Sequence, residues 1–155
     1  MGKIGDGWAL SSETCALDII GAEFVREIKP GEMVVIQNSG VESHFPFKPQ
    51  NSRFCIFEHV YFSRPDSIIG GHSVYETRRQ IGVELAKESP VAADLVCPVP
   101  DSGTPAAIGF SQESGIPYAM GIIRNQYMGR TFIEPTEQIR NMGCLLYTSD
   151  AADDP

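Results

Sequence analysis

The residues best suited to chemistry lie in two loops of the second half of the chain. The first loop is VPDSGTPAA, residues 99–107, which is predicted to follow a buried strand and to begin a helix. Such a loop directs its backbone N–H groups and the N-terminus of the next helix toward a bound anion. Asp101 and Ser102 add oxygen atoms of the kind that Mg²⁺ accepts. An ordinary strand-to-helix turn uses the same residue types, so both interpretations stay open here.

The second loop is RNQYMGRT, residues 124–131. Two arginines and an amide surround a glycine, and arginines bind phosphate through two parallel hydrogen bonds. The glycine could let the loop close over a substrate. A solvated surface loop is the alternative interpretation, and the loop alone does not decide between them.

Other kinds of site are not supported by the sequence. No Walker A loop and no G-x-S-x-G nucleophile motif is present. The histidines share no helical spacing, so no metal triad is predicted; they are His44, His59 and His72. The cysteines form no C-x-x-C pair and are interpreted as reduced thiols; they are Cys15, Cys55, Cys97 and Cys144.

Composition restricts the partners. The 155 residues have a formal net charge of −8 and an isoelectric point near 4.8. Nucleic-acid binding relies on clustered Lys and Arg, so we expect no nucleic-acid partner. No apolar run approaches the roughly 20 residues of a spanning helix, and the N-terminus lacks the order of a signal peptide. We therefore expect a cytoplasmic protein without a membrane segment.

The first third is predicted to form a helix and a hairpin. Ser12 is the expected N-cap of a helix through TCALDIIGA. FVREI and EMVVI flank Lys29-Pro30-Gly31 and predict two paired strands. FCIFEHVYF predicts a buried strand that ends at a turn over residues 64–67.

Helices and strands alternate in the second half. Ser73 and Glu76 form a capping box for a helix that ends near Ser89-Pro90. We expect its packed face to contain Val74, Thr77, Ile81 and Leu85. Strands are predicted at residues 94–99 and 118–123, with a helix between them that ends at Gly115. This order is typical of a doubly wound parallel α/β sheet, so two architectures meet near residues 60–70.

Three stretches together resemble consecutive parts of the amidophosphoribosyltransferase family. They are SSETCALDIIGAEFVREIKPGEMVVI, CIFEHVYFSRPDS and the long segment from ADLVCPVPDSGTP to IRNQYMGRTFIEPTEQIR. The resemblance implies an α/β chain: the C-terminal part of an Ntn-hydrolase glutaminase domain at residues 1–54, then the N-terminal part of a type I phosphoribosyltransferase domain at 55–143. The remaining residues, 144–155, do not resemble the family, and we interpret them as a non-native tail.

That family is a type 2 glutamine amidotransferase and a pentosyltransferase. Its glutaminase domain releases ammonia from glutamine, and its transferase domain uses the ammonia to displace pyrophosphate from phosphoribosylpyrophosphate (PRPP). The products are 5-phosphoribosylamine, glutamate and pyrophosphate, in the first committed step of purine synthesis. The resemblance therefore implies PRPP and glutamine as substrates, Mg²⁺ as cofactor and a homo-oligomer for the complete enzyme.

The resemblance also assigns residues to the site. Ser102 matches a position that contributes to the Mg²⁺ site beside the pyrophosphate, and Cys55 matches a [4Fe–4S] ligand of one branch of the family, whereas another branch keeps a cysteine without a cluster. The loop around pyrophosphate matches Pro100, Asp101, Ser102, Gly103 and Thr104. The loop that closes over PRPP matches Arg124, Asn125, Tyr127, Gly129, Arg130 and Thr131, and Gln126 replaces an arginine usual in the family.

Two features of the family have no match in these residues. The glutaminase nucleophile is an N-terminal cysteine, whereas this sequence starts Met1-Gly2 and its first cysteine is Cys15. A VDDSIVRGTT-like segment, which binds the ribose hydroxyls, is also missing. We therefore expect the 155-residue chain alone to be an inactive piece of the enzyme. The alternative is a noncatalytic regulator with a phosphoribosyltransferase fold that binds a nucleotide or phosphosugar.

Overall fold

The computed structural model describes residues 1–48, 50–124, 127 and 135–140. The predicted tail, 144–155, lies outside these residues. None of the described helices is long and apolar enough to cross a membrane. The boundary predicted between residues 54 and 55 stays a prediction.

The N-terminal residues form a small antiparallel sheet with a helix on it. The sheet has the order β2-β1-β3, with β1 at Gly2–Ile4, β2 at Gly7–Ala9 and β3 at Glu23–Phe24. The predicted helix is confirmed as α1, Thr14–Ile19, but its N-cap is Glu13 rather than Ser12. Apolar residues of α1 and the sheet form a local core; they are Met1, Cys15, Leu17 and Ala22.

The predicted hairpin is wrong in its pairing. β4, Met33–Gln37, pairs with β5, Gly40–His44, through a tight turn in which Gln37 faces Gly40. The other predicted strand, FVREI, contributes Phe24 to β3, which pairs with β1 instead. The turn at Lys29 does form, since the Glu32 N–H donates to the Lys29 carbonyl at 3.0 Å. The turn was predicted correctly from its local residues. The pairing of the strands, in contrast, is decided by packing between distant parts of the chain.

A partly buried ion pair attaches this hairpin to the segment after β3. The Arg26 guanidinium donates to both carboxylate oxygens of Glu32, at 2.6 and 2.9 Å. The Ser43 hydroxyl and the Lys29 N–H also donate to Glu32, whose side chain is 2% exposed. These hydrogen bonds, that from Arg26 first, lower the pKa of Glu32 from 4.5 to about 2.

The strand predicted at FCIFEHVYF is also wrong, because residues 56–62 are helical. A π-helical turn covers Glu58–Phe62. Buried Arg78 donates to the carbonyl oxygen of His59 in this turn and, at 2.8 Å, to that of Ser63 directly after it. Burial lowers the pKa of Arg78 below its usual value. Consecutive apolar residues suit a buried strand or a helix equally, and this contact favours the helix.

The chain then turns and enters the long helix α2. The predicted turn is confirmed, since the Ser67 N–H donates to Arg64 O at 3.1 Å. A two-stranded hairpin follows, with β6 at Ile68–Ile69 and β7 at His72–Ser73. The predicted N-cap at Ser73 is confirmed, because its hydroxyl accepts from the Glu76 N–H at 3.3 Å. The Glu76 carboxylate accepts instead from the Arg79 guanidinium, at 3.0 and 3.1 Å, so only this half of the predicted capping box is found in the described residues. Helix α2, Val74–Glu88, ends at Ser89 as predicted.

The packed face of α2 differs from the prediction. Val74 is fully buried, but Ile81 and Leu85 are 41% and 50% exposed. The buried face is instead formed by Arg78, Gly82, Val83 and Ala86. It packs against α3, Thr104–Ser114, which ends at left-handed Gly115 as predicted.

Two glycines let α2 and α3 approach closely. A Cβ on Gly82 would lie 1.9 Å from the Ala106 carbonyl oxygen, and one on Gly109 would lie 1.9 Å from the Arg79 carbonyl oxygen. Neither contact could accommodate a methyl group without moving a helix. The hydrophobic pattern of the sequence did not predict the buried face of α2, because backbone contacts and not large apolar side chains set the distance between α2 and α3.

The segments around α3 run parallel, as predicted. Val96 and Tyr118 form a parallel bridge, in which the Val96 N–H donates to Pro117 O at 2.8 Å and the Ala119 N–H donates to Val96 O at 3.1 Å. Within the described residues, the predicted strands at 94–99 and 118–123 pair only at this bridge. The mixture of helices and sheets agrees with the predicted α/β class. In the part of the chain that the structure describes, the parallel arrangement consists of one β-α-β crossover.

Replacing Gly82 should separate the two helices. We expect Gly82→Ala to lower the free energy of unfolding by about 1–3 kcal/mol, because the added methyl overpacks the contact. Urea denaturation followed by circular dichroism measures the change. Gln80→Ala, on the exposed face of α2, is the control and should stay within about 0.5 kcal/mol of wild type. Equal stability of the two variants would contradict the close contact.

The Glu32 carboxylate should make stability depend on pH. Its pKa is lower in the folded chain, about 2 against 4.5, so its contribution is complete above pH 4.5 and is lost as pH falls toward 2. Thermal midpoints of wild type and Glu32→Gln should therefore differ near neutral pH and converge in acid. Glu23→Gln, an exposed carboxylate on β3, is the control. If the two thermal midpoints still differ by the same amount in acid, the Glu32 carboxylate is not the source of the pH dependence.

Candidate functional site

The first predicted loop connects the parallel bridge to α3. Within it, the Gly103 N–H donates to Val99 O at 3.2 Å and the Thr104 N–H donates to Asp101 O at 3.3 Å. These bonds curl residues 99–104 into a compact turn directly before the first residue of α3. The peptide between Pro100 and Asp101 is cis.

Gly103 is required by this curl. A Cβ at this position would lie 2.7 Å from the Val99 carbonyl oxygen, closer than real Cβ atoms come. Ser102 and Thr104 on either side are half-buried, and Asp101 is exposed. The turn therefore brings a carboxylate, two hydroxyls and the N-terminus of an eleven-residue helix into one short stretch.

The structure brings the two predicted loops together at Asp101 of the first loop and Arg124 of the second. Arg124 Nη1 lies 3.0 Å from Asp101 Oδ2, with the two side chains 59% and 72% exposed. Exposed ion pairs contribute little to stability, roughly 0–1 kcal/mol. The pair is therefore better interpreted as an arrangement of charges at a site than as a support for the fold.

Cys97 helps to place Arg124 and was missed as a positioning residue. The Gly121 N–H donates to Cys97 Sγ at 3.2 Å, and a Cβ on Gly121 would lie 2.8 Å from that sulfur. The contact holds the segment before Arg124 against the segment before the loop. The sequence showed only a cysteine without a nearby partner, and no local pattern marks a contact across 24 positions.

Beyond Arg124, the structure describes only Tyr127 of the second loop. Tyr127 is 99% exposed. Its predicted companions lie outside the described residues; they are Asn125, Gly129, Arg130 and Thr131. Their roles stay predictions.

The predicted metal ligands have different surroundings. Ser102 and Asp101 are hard oxygen donors, which suit Mg²⁺ because this ion keeps several of its waters. Cys55 is exposed, and a [4Fe–4S] cluster needs further thiolates. Among the described residues, no group of three or more His, Cys, Asp or Glu side chains could hold a metal ion. The oxygen donors thus fit Mg²⁺ bound together with a ligand, whereas the described cysteines do not assemble a cluster site.

Comparison with known proteins points to one family. No family model matches the chain. An amidophosphoribosyltransferase from Rhizobium etli is 58% identical over 151 residues, which cover 94% of this chain and 30% of the relative. One from Synechocystis is 59% identical over 136 residues, covering 88% of this chain and 28% of the relative. The chain therefore spans about 30% of the length of the curated relatives it matches.

Solved structures agree with these relatives. A glutamine PRPP amidotransferase from B. subtilis, complexed with ADP and GMP, superposes with a TM-score of 0.75 at 48% identity, covering 85% of this chain and 29% of that one. A structure described as the allosteric regulatory enzyme of purine biosynthesis gives a TM-score of 0.74 at 49% identity, covering 85% of this chain and 28% of that one. Over nearly its whole length, the chain is therefore similar to a segment that makes up about 30% of amidophosphoribosyltransferases, which confirms the resemblance predicted from its sequence.

Proposed function

We propose that this chain is part of an amidophosphoribosyltransferase, which makes 5-phosphoribosylamine, glutamate and pyrophosphate from PRPP, glutamine and water. The observation that carries the proposal is the ion pair between Asp101 and Arg124, which joins the first and second predicted phosphate loops. Identity of 58% to an amidophosphoribosyltransferase over 151 residues supports the assignment.

The loop at residues 100–104 would bind the pyrophosphate of PRPP. Its backbone N–H groups and the N-terminus of α3 provide fixed partial positive charge without a side-chain cation. Arg124 would move from Asp101 to a phosphate oxygen when the substrate binds, since a guanidinium donates to either anion. Arg130 and Thr131 would complete the closing loop by resemblance to the family.

The proposed reaction replaces a C–O bond at the ribose C1 with a C–N bond. A C–N bond forms between ammonia and the ribose C1, the C1–O bond to pyrophosphate breaks, and the attacking nitrogen loses a proton. Magnesium bound beside Ser102 and Asp101 would balance the negative charge of the leaving pyrophosphate. Closure of the second loop would keep water from the electron-poor C1.

The complete protein would need parts beyond the segment matched here. The glutaminase nucleophile and the ribose-binding aspartates are expected from the rest of the enzyme. We also propose that the enzyme acts in the cytoplasm as a homo-oligomer. Cys55 would ligate a [4Fe–4S] cluster only if further cysteines of the enzyme reach it.

Pyrophosphate binding tests the loop directly. In the presence of Mg²⁺, calorimetric titration of the 155-residue chain should give binding that Arg124→Ala weakens by at least about tenfold, because a charge-assisted hydrogen bond is lost. Arg64→Ala is a matched control, since Arg64 forms a similar exposed ion pair with Asp66 at 3.0 Å. Equal weakening by both variants would mean that only overall charge matters. Unchanged binding by Arg124→Ala would remove Arg124 from the site.

Catalysis is tested on the complete protein that carries this sequence. Incubation with PRPP, glutamine and Mg²⁺ should release glutamate and pyrophosphate in equal amounts, with both substrates required. A noncatalytic regulator would instead bind PRPP without releasing pyrophosphate. The two functions are therefore separated by one product assay.

A further inference from the structure

The Glu13 carboxylate joins the N-terminal part of the chain to the turn that begins the second half. Glu13 Oε2 accepts from the Arg64 backbone N–H and from the Ser67 hydroxyl, both at 2.8 Å. Ser67 is fully buried, and the part of the structure described gives its hydroxyl no other acceptor. Without Glu13, the Ser67 hydroxyl would lose its acceptor in a place that water reaches poorly, whereas the Arg64 N–H is exposed.

Neighbouring side chains repeat this arrangement. Thr14 Oγ1 accepts from the Ile68 N–H at 2.8 Å, and Glu27 Oε1 accepts from the Gly70 N–H at 3.1 Å. In each contact the first part of the chain provides the side-chain acceptor, and residues 64–70 provide the donor. Glu13 differs from the others because its Oε2 accepts from the Arg64 N–H and from the fully buried Ser67 hydroxyl, and weakly from the Cys15 thiol at 3.9 Å.

The turn that Glu13 holds is rigidly attached to the candidate site. The Pro65 and Ser67 carbonyl oxygens each accept from an N–H at the start of α2, both at 3.0 Å. Helix α2 contacts α3 through the glycine positions described above, and α3 begins where the phosphate loop ends. Buried Arg78 of α2 also donates to Ser63 O, directly before this turn, at 2.8 Å.

We propose that Glu13 is a positioning residue that fixes the glutaminase part of the enzyme relative to its phosphoribosyltransferase part. This inference rests on the proposed function, in which ammonia made in one part is consumed in the other. A correct orientation matters for glutamine-dependent synthesis, because the ammonia must reach the ribose C1 before it escapes to solvent. It does not matter when ammonia is supplied from solution, since the transferase part then works without the glutaminase part.

The test compares the two nitrogen sources in the complete protein that carries this sequence. Glu13→Ala should lower glutamine-dependent pyrophosphate release by at least about tenfold, as expected for a misplaced reaction partner, while ammonia-dependent release stays within about twofold of wild type. Glu13→Gln keeps a hydrogen-bond acceptor but loses the negative charge, so its glutamine-dependent rate should lie between those of wild type and Glu13→Ala. Glu23→Gln, an exposed carboxylate of the same part, should leave both rates unchanged.

The outcomes separate this inference from the function on which it rests. If wild type releases no pyrophosphate from either nitrogen source, the proposed function fails. If wild type is active but Glu13→Gln, folded by circular dichroism, keeps the wild-type ratio of the two rates, Glu13 does not position the parts. Amide hydrogen exchange gives an independent readout: the Arg64 and Ile68 amides should exchange faster in the variants, and unchanged protection would overturn the proposal.

Discussion

The close contact between α2 and α3 is the constraint on which the candidate site depends. Gly82 and Gly109 place each helix against a backbone carbonyl of the other. Because α3 begins at the end of the turn over residues 99–104, a change in this contact would move that turn. The first N–H groups of α2 donate to the Pro65 and Ser67 carbonyl oxygens of the turn held by Glu13, so the same contact relates the site to the N-terminal part of the chain.

The site itself is built from weak local interactions on this rigid support. The exposed ion pair between Asp101 and Arg124 adds little to stability, and the turn of the loop relies on backbone hydrogen bonds. Loss of this ion pair would therefore cost the fold little. Weakly paired charges on a packed support agree with the proposed binding and release of substrate at this loop.

Local sequence patterns were reliable where the interaction is local. The Ser73 N-cap, the turn before Ser67 and the end of α3 at Gly115 were all predicted, because each depends on residues a few positions apart. Pairing and packing were predicted less well. β4 pairs with the strand after it rather than before it, and residues 56–62 are helical, with buried Arg78 of α2 donating to His59 O.

The sequence by itself determined the resemblance to amidophosphoribosyltransferases, the α/β class and the position of the turn at residues 99–104, because collinear motifs and local turn chemistry are written in the order of residues. Only the tertiary structure decided that Arg124 meets Asp101, that Cys97 supports Gly121 and that Glu13 holds Ser67. Each of these contacts joins residues at least 23 positions apart. Such contacts arise from how packed elements meet, and no local periodicity or spacing encodes that meeting.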